Sequence, residues 1–144
     1  MFYDILINIL IHNNTMSDGM KYKVLIVDDD KFLLQMYAMK FTHSGHEVTT
    51  ALNGNEALDK LKELTPDIIV MDVVMPGMDG VELLQTIHDQ KISPNAVYVM
   101  LTNQSAPTDI EKAKSIGIHG YIVKATTIPS EVVEEVIKIR EKNK

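Results

Sequence analysis

The chain contains no cysteine among its 144 residues. A disulfide framework, a thiol nucleophile and a cysteine-ligated zinc site are therefore excluded. A reducing compartment suits such a chain, and we expect a cytoplasmic location. The histidines show no metal-ligand spacing. We expect structural or solvent-facing roles for all five: His12, His43, His46, His88 and His119.

An excess of basic residues is also missing. The chain has 14 Lys and Arg residues against 20 Asp and Glu residues, which gives a net charge of −6. Because a nucleic-acid module needs a basic surface, we expect no nucleic-acid partner. The fractions of 45% hydrophobic and 24% charged residues are those of a globular protein. Since one domain takes roughly 100–200 residues, we expect a single domain without an attached output module.

The chain lacks a hydrophobic run long enough to span a membrane. Residues 5–11 are apolar, but Asn8 interrupts them and a membrane helix needs ~20 residues. A secretory signal requires basic residues before its apolar run, and no Lys or Arg precedes this one. We interpret residues 1–21 as an N-terminal extension and residues 22–144 as the domain. The extension is either disordered chain upstream of a true start at Met16 or Met20, or a short arm that packs on the domain or a partner.

From residue 22 onward, short apolar runs alternate with longer amphipathic stretches. Strands are predicted at 23–27, 47–51, 67–71, 96–101 and 120–123. Helices are predicted at 30–42, 54–64, 80–90, 107–116 and 129–142. This alternation predicts an α/β fold, a doubly wound five-stranded parallel sheet with helices on both faces.

Capping residues and apolar spacing locate the helices. Asp30 and Asn53 are suited to cap the first two helices. Spacings of three and four residues predict an apolar face on the first helix, made of Phe32, Leu33, Met36, Tyr37 and Phe41. The same reasoning predicts a buried stripe on the last helix, made of Val132, Val133, Val136 and Ile137.

Polar side chains follow four of the five predicted strands. Asp28 and Asp29 come after the first, Asp72 ends the third, Thr102 follows the fourth and Lys124 follows the fifth. In doubly wound folds the site lies outside the carboxyl ends of the strands, so we expect these side chains to meet. Taken singly, each has a plainer interpretation as a turn residue or a surface charge. The set is what makes the prediction specific.

Two consecutive carboxylates beside a buried strand are costly unless a cation binds them. Oxygen ligands suit Mg²⁺, and the absence of His or Cys at these positions disfavours zinc or copper. Lys124 supplies a positive charge for Asp72 or for a phosphoryl oxygen, and Thr102 supplies a hydroxyl donor. These groups suit phosphoryl transfer to a carboxylate, which depends on positioning and charge neutralisation.

Four segments closely resemble those of the response-regulator receiver family: 24–29 (VLIVDD), 71–80 (MDVVMPGMDG), 101–102 (LT) and 123–124 (VK). The resemblance covers residues 22–142 and is with the single-domain, chemotaxis-regulator-like type. It implies a flavodoxin-like sheet of strand order 2-1-3-4-5. It also implies that Asp72 accepts a phosphoryl group from a sensor histidine kinase or a phosphotransfer protein. Mg²⁺ would be held by Asp28, Asp29, Asp72 and the backbone carbonyl of Val74.

The resemblance further implies a switch. Thr102 and Lys124 would bind the phosphoryl oxygens, and Tyr121 would swing inward. This movement would reshape the surface made by the fourth helix, fifth strand and fifth helix, where a downstream protein binds. No turnover of an external substrate is expected, so the chain would not be an enzyme in that sense, and no membrane partner is expected.

Three positions depart from the family pattern. Ala125 stands where the family has a proline in a cis peptide, which leaves the loop geometry at Lys124 open. Asn103 replaces a small residue beside the switch threonine, and we expect it to slow phosphorylation or dephosphorylation. Val74 cannot orient an attacking water through its side chain, so we expect a long-lived phosphorylated state.

Three rival functions differ in what they require of the same residues. A phosphatase of the haloacid dehalogenase type places a second Asp two residues after its nucleophile, where this chain has Val74. A pseudo-receiver, a pure interaction module, usually lacks the acceptor, the acidic pair or the lysine. A flavodoxin-like flavin carrier needs a phosphate-binding loop after the first strand, where Asp28, Asp29 and Asp30 would repel phosphate.

Overall fold

The computed structural model describes residues 21–103 and 107–144. Its strands are β1 (Lys23–Val27), β2 (Glu47–Ala51), β3 (Ile68–Asp72), β4 (Val97–Thr102) and β5 (Gly120–Val123). Its helices are α1 (Lys31–His43), α2 (Gly54–Leu61), α3 (Gly80–Asp89), α4 (Pro107–Ile116) and α5 (Pro129–Lys142). A single 3-10 turn, Lys124–Thr126, lies between β5 and α5 in this part of the chain.

The five strands form one sheet in which every neighbouring pair is parallel, in the order β2-β1-β3-β4-β5. This confirms the predicted fold and strand order. The register places Val27 beside both Ala51 and Met71, and Thr102 beside Val123. All the carboxyl ends therefore lie at one edge, with β1 and β3 adjacent at the point where the strand order reverses.

Helices cover both faces of the sheet. Residues of α2, α3 and α4 pack on one face, in a cluster that includes Leu25, Val27 and Met71. Residues of α1 and α5 pack on the other face, with Val24 and Ile26. Alternate residues of β1 thus enter opposite cores, which explains why the strand is apolar from Val24 to Val27.

The two predicted caps are confirmed. Asp30 accepts hydrogen bonds from the backbone N–H groups of Phe32 and Leu33 at 3.1 Å each. Asn53 accepts one from Glu56 at 2.8 Å. The helix α2 ends at Leu61, three residues before the predicted end, because the backbone N–H groups of Lys62 and Glu63 bond to carbonyls only three residues back and tighten the chain into a turn.

The predicted apolar face of α1 is wrong at Phe32, whose side chain is 71% exposed. The residues that α1 buries are Leu34, Tyr37 and Phe41, which are themselves spaced three and four residues apart. Because each residue turns the helix by about 100°, Phe32 lies about 200° around the helix from Leu34. It therefore faces solvent beside the carboxyl edge of the sheet.

The predictions for residues 1–20, including the role of His12, lie outside the described residues. Among the helices of residues 21–103 and 107–144, none is long and apolar enough to cross a membrane.

Candidate functional site

Three carboxylates meet at the carboxyl edge of the sheet. Asp28 and Asp29 follow β1, and Asp72 ends the adjacent strand β3. One carboxylate oxygen from each of the three lies within 4.8 Å of the others. Asp28 and Asp72 are buried, with 0% and 4% exposure, whereas Asp29 is exposed. The cluster is therefore a shallow acidic pocket that is open to solvent on the side of Asp29.

Backbone groups fix the orientation of the two buried carboxylates. The N–H of Asp30 donates to Asp28 Oδ1 at 2.9 Å. The N–H of Val74 donates to Asp72 Oδ1 at 3.3 Å. Each buried carboxylate therefore has one oxygen held by the loop that follows its own strand. The other oxygen of each, Oδ2, is directed at the end of β5.

Lys124 bridges these two Oδ2 atoms. Its ammonium nitrogen lies 2.9 Å from Asp28 and 3.0 Å from Asp72, and its side chain is only 12% exposed. The residues that the structure describes contain no cis peptide bond, so the bond between Lys124 and Ala125 is trans. The turn Lys124–Thr126 thus presents the lysine to the carboxylates without the proline that the family has at Ala125.

The ionisation of the pocket follows from burial and pairing. Burial opposes the charge of Lys124, but its hydrogen bonds to Asp28 and Asp72 and their charges outweigh this effect and raise its pKa. Burial raises the pKa of Asp72, the nearby charge of Asp28 adds to the rise, and Lys124 opposes it. Lys124 is therefore a firmly held cation between two carboxylates.

The donor set of the pocket fits Mg²⁺. Three carboxylates and one ammonium group leave a formal charge of −2 when all are ionised, which a divalent cation balances. The clustered ligands are all oxygens, the donors that Mg²⁺ prefers. The open side at Asp29 leaves room for the waters that Mg²⁺ keeps.

Two predicted site residues stand apart from the pocket. Thr102 is buried, and its hydroxyl donates to the carbonyl oxygen of Asn103 at 2.8 Å. Tyr121 is 46% exposed on β5. The side chain of Val74 also faces solvent, with 57% exposure, although its backbone N–H reaches Asp72.

Two further residues that shape this edge of the sheet, Gly80 and Lys114, were not predicted from the sequence. A Cβ added to Gly80 would lie 2.1 Å from the carbonyl oxygen of Asp72, so only glycine fits there. Gly80 appears in the quoted motif, but its packing against Asp72 depends on the path of the loop. Lys114 places its ammonium group 5.6 Å from the centre of the Tyr121 ring. No sequence pattern indicates that contact, because it forms between a helix and a strand.

Two histidines have structural roles at the opposite edge of the sheet. His46 Nδ1 accepts a hydrogen bond from the N–H of Tyr22 at 3.1 Å, and His119 Nδ1 accepts one from Tyr98 at 2.9 Å. Each imidazole also stacks on the tyrosine ring. Burial lowers the pKa of both histidines. These contacts agree with the prediction of structural roles for these two residues.

Comparison with known families gives one match over most of the domain. The model of the response regulator receiver domain matches residues 24–136. These limits enclose the three carboxylates, Thr102, Tyr121 and Lys124.

Individual relatives agree with this match. The chain is 40% identical over 118 residues to the chemotaxis protein CheY of Thermotoga maritima, covering 81% of this chain and 96% of that protein. It is 38% identical over 116 residues to the heme response regulator HssR of Staphylococcus epidermidis, covering 81% of this chain but only 49% of that protein. The solved structure of chemotaxis protein CheY4 of Vibrio cholerae is similar with a TM-score of 0.76 and 32% identity, over 83% of this chain and 98% of that one.

Proposed function

Because the chain belongs to the response regulator receiver family, we propose that Asp72 accepts a phosphoryl group in a Mg²⁺-dependent step of two-component signalling. The donor is a phosphohistidine of a sensor histidine kinase or a phosphotransfer protein. The observation that carries this proposal is the pairing of Asp72 with Lys124 inside a cluster of three carboxylates. This arrangement supplies an acceptor, a cation for the transferred group and ligands for a metal.

In the transfer, a carboxylate oxygen of Asp72 attacks phosphorus, the bond from phosphorus to the donor imidazole breaks, and the imidazole leaves. Asp28, Asp29, Asp72 and the carbonyl of Val74 would hold Mg²⁺, which supplies charge neutralisation for the phosphoryl oxygens when bound. The loop bonds from Asp30 and Val74 hold the buried carboxylates in place and so reduce the reorganisation that the reaction needs.

Lys124 and Thr102 would convert the covalent change into a movement. The ammonium group of Lys124, now shared by Asp28 and Asp72, would contact a phosphoryl oxygen instead. The hydroxyl of Thr102 would leave the carbonyl of Asn103 and donate to another phosphoryl oxygen. Tyr121 would then swing inward and reshape the surface of α4, β5 and α5, where a downstream protein binds.

Exposed apolar side chains beside the pocket favour a protein as donor. Phe32, Val74 and Ile128 are 71%, 57% and 60% exposed. They lie three, two and four residues after Asp29, Asp72 and Lys124, respectively. A docking protein would cover them while it presents its phosphohistidine. In this proposal the chain turns over no external substrate, acts in the cytoplasm and binds neither nucleic acid nor membrane.

Intact-mass spectrometry tests the acceptor directly. Wild type incubated with acetyl phosphate and Mg²⁺ should gain about 80 Da, the mass of one phosphoryl group. Asp72→Ala should gain nothing, and Asp89→Ala, which changes an exposed aspartate outside the pocket, should behave as wild type. If wild type gains no mass here and none from a phosphohistidine donor, the proposal fails and the pseudo-receiver interpretation replaces it. Multiple-turnover hydrolysis of a free phosphate ester would instead indicate a phosphatase.

A further inference from the structure

A groove between α4 and β5 extends from Tyr121 to Thr102. Its volume is about 300 Å³, and its lining includes Thr102, Lys114, Tyr121 and Val123. Tyr121 and Val123 are alternate residues of β5 and share one side of the strand. Val123 pairs with Thr102 in the sheet. Tyr121 therefore lies two strand residues, or about 7 Å, from the level of Thr102, a distance that a tyrosine side chain can span.

In the resting structure the ring of Tyr121 is held at the outer end of this groove. The ammonium nitrogen of Lys114, in the last turn of α4, lies 5.6 Å from the ring centre. The same nitrogen lies 3.5 Å from a carboxylate oxygen of Glu111 one turn earlier. A cation in this position attracts the face of the ring. The attraction is lost when the ring rotates inward towards Thr102.

We propose that Lys114 is a positioning residue that holds Tyr121 outward in the unphosphorylated protein and so sets how readily the α4–β5 surface switches. The inference rests on the proposed function and adds to it a control of the resting state. An exposed cation–π contact favours the outward ring by about two- to fivefold. Loss of the contact would raise the population of inward ring by the same factor, because a contact made in one state only shifts the equilibrium by its full strength.

Fluorine NMR of the full chain labelled with 3-fluorotyrosine tests this without any phosphorylation. The Tyr121 resonance is assigned from its absence in Tyr121→Phe, and its shift between H₂O and D₂O measures exposure of the ring. In Lys114→Met, which keeps the length of the side chain and removes its charge, this solvent shift should fall. Lys114→Arg restores a cation over the ring and should return the wild-type shift.

Two control variants separate the contact from other effects of charge. Lys112→Met removes a cation from the same helix. Lys112 lines a different groove, together with Glu82 of α3. Glu111→Gln breaks the ion pair but leaves the ammonium group of Lys114. Both should keep the wild-type resonance of Tyr121. The proposal is overturned if Lys114→Met leaves the resonance unchanged, or if either control variant moves it equally.

The effect on switching is measured as the rate of phosphorylation by acetyl phosphate, which should rise about two- to fivefold in Lys114→Met. A moved ring with an unchanged rate would refute the regulatory role of Lys114. If wild type accepts no phosphoryl group from any donor, the proposed function fails. The fluorine measurement still decides in that case whether Lys114 holds the ring.

Discussion

The ammonium nitrogen of Lys124 lies 3.0 Å from Oδ2 of Asp72. Asp72 ends β3 and Lys124 follows β5, so the lysine side chain reaches past the end of β4, which lies between these two strands. The ammonium nitrogen lies equally close to Asp28, at 2.9 Å. The side chains of the lysine and the two aspartates are 12%, 6% and 0% exposed. One largely buried cation therefore separates two buried carboxylates. Removal of that cation would leave both negative charges uncompensated in a medium of low dielectric constant.

We predict that Lys124→Met lowers the free energy of unfolding by about 3 kcal/mol in the presence of EDTA, because it breaks a buried ion pair. Urea denaturation followed by circular dichroism measures this. Lys62→Met is the control, since it removes an ion pair to Asp59 whose side chains are about three-quarters exposed, and it should cost less than ~1 kcal/mol. Mg²⁺ should stabilise Lys124→Met more than wild type. Equal losses in the two variants would contradict the prediction.

Gly80 gives a second prediction, because a Cβ at this position would lie 2.1 Å from the carbonyl oxygen of Asp72. Gly80→Ala should lower the free energy of unfolding by about 1–3 kcal/mol, since the loop must move away from β3. It should also slow phosphorylation by displacing the acceptor. Gly77→Ala is the control in the same loop. Its Cβ would meet no atom within 4 Å, so the only cost to stability comes from placing a side chain at a positive φ of 75°. Phosphorylation rates that fall equally in the two variants would show that the contact with Asp72 is unimportant.

Much of the fold follows from the sequence because its two signals are strong. The strands that helices cover on both faces are mostly apolar, and the intervening helices have regular apolar spacing. The prediction was wrong at Phe32 because apolar residues occur on both sides of α1, and spacing alone does not say which stripe faces the sheet. The burial of Leu34 shows that the stripe facing the sheet is the one that contains this residue and not Phe32.

The site was predictable to the extent that it depends on topology. The carboxyl ends of parallel strands meet at one edge, so Asp28, Asp72 and Lys124 had to lie near one another. The direction of the Thr102 hydroxyl was not predictable, because a rotating hydroxyl takes whichever acceptor the loop offers, here the carbonyl of Asn103. Contacts made by loop paths, such as that of Gly80 with Asp72, leave no periodic pattern in the sequence.

A third prediction concerns pH. Burial lowers the pKa of His46 in the folded protein below its ordinary value of 6.5. The unfolded chain therefore takes up a proton first, and stability that is present above pH 6.5 should be lost as pH falls through that value towards the folded pKa. His46→Asn keeps an acceptor for the N–H of Tyr22 without titrating, so its stability should depend less on pH. Denaturation at pH 7.5 and 5.5 measures this, with His88→Asn, an exposed histidine, as control. The idea fails if His46→Asn loses as much stability as wild type between pH 7.5 and 5.5.

The side chain of Val74 should set the lifetime of the phosphorylated state. It is exposed beside Asp72 but has no polar group with which to orient an attacking water. We predict that wild type loses its phosphoryl group slowly and that Val74→Asn loses it about tenfold faster, since a side-chain amide at this position can orient an attacking water. The fraction phosphorylated is followed by intact-mass spectrometry after removal of the donor. Val74→Ala separates polarity from size, and an equal acceleration in that variant would mean that the valine acts by its bulk.

Asn103 offers the last prediction, because its backbone and side chain have separable effects. Its carbonyl oxygen accepts the Thr102 hydroxyl at 2.8 Å, and substitution by alanine keeps that group. The side chain is exposed next to Thr102, and we expect it to narrow the approach to the phosphoryl group. Asn103→Ala should therefore accelerate phosphorylation by acetyl phosphate, or the later loss of the phosphoryl group, several-fold. Unchanged rates for both steps would refute this role, whereas acceleration with acetyl phosphate but not with a phosphohistidine donor would show that a docked protein delivers its phosphoryl group past Asn103.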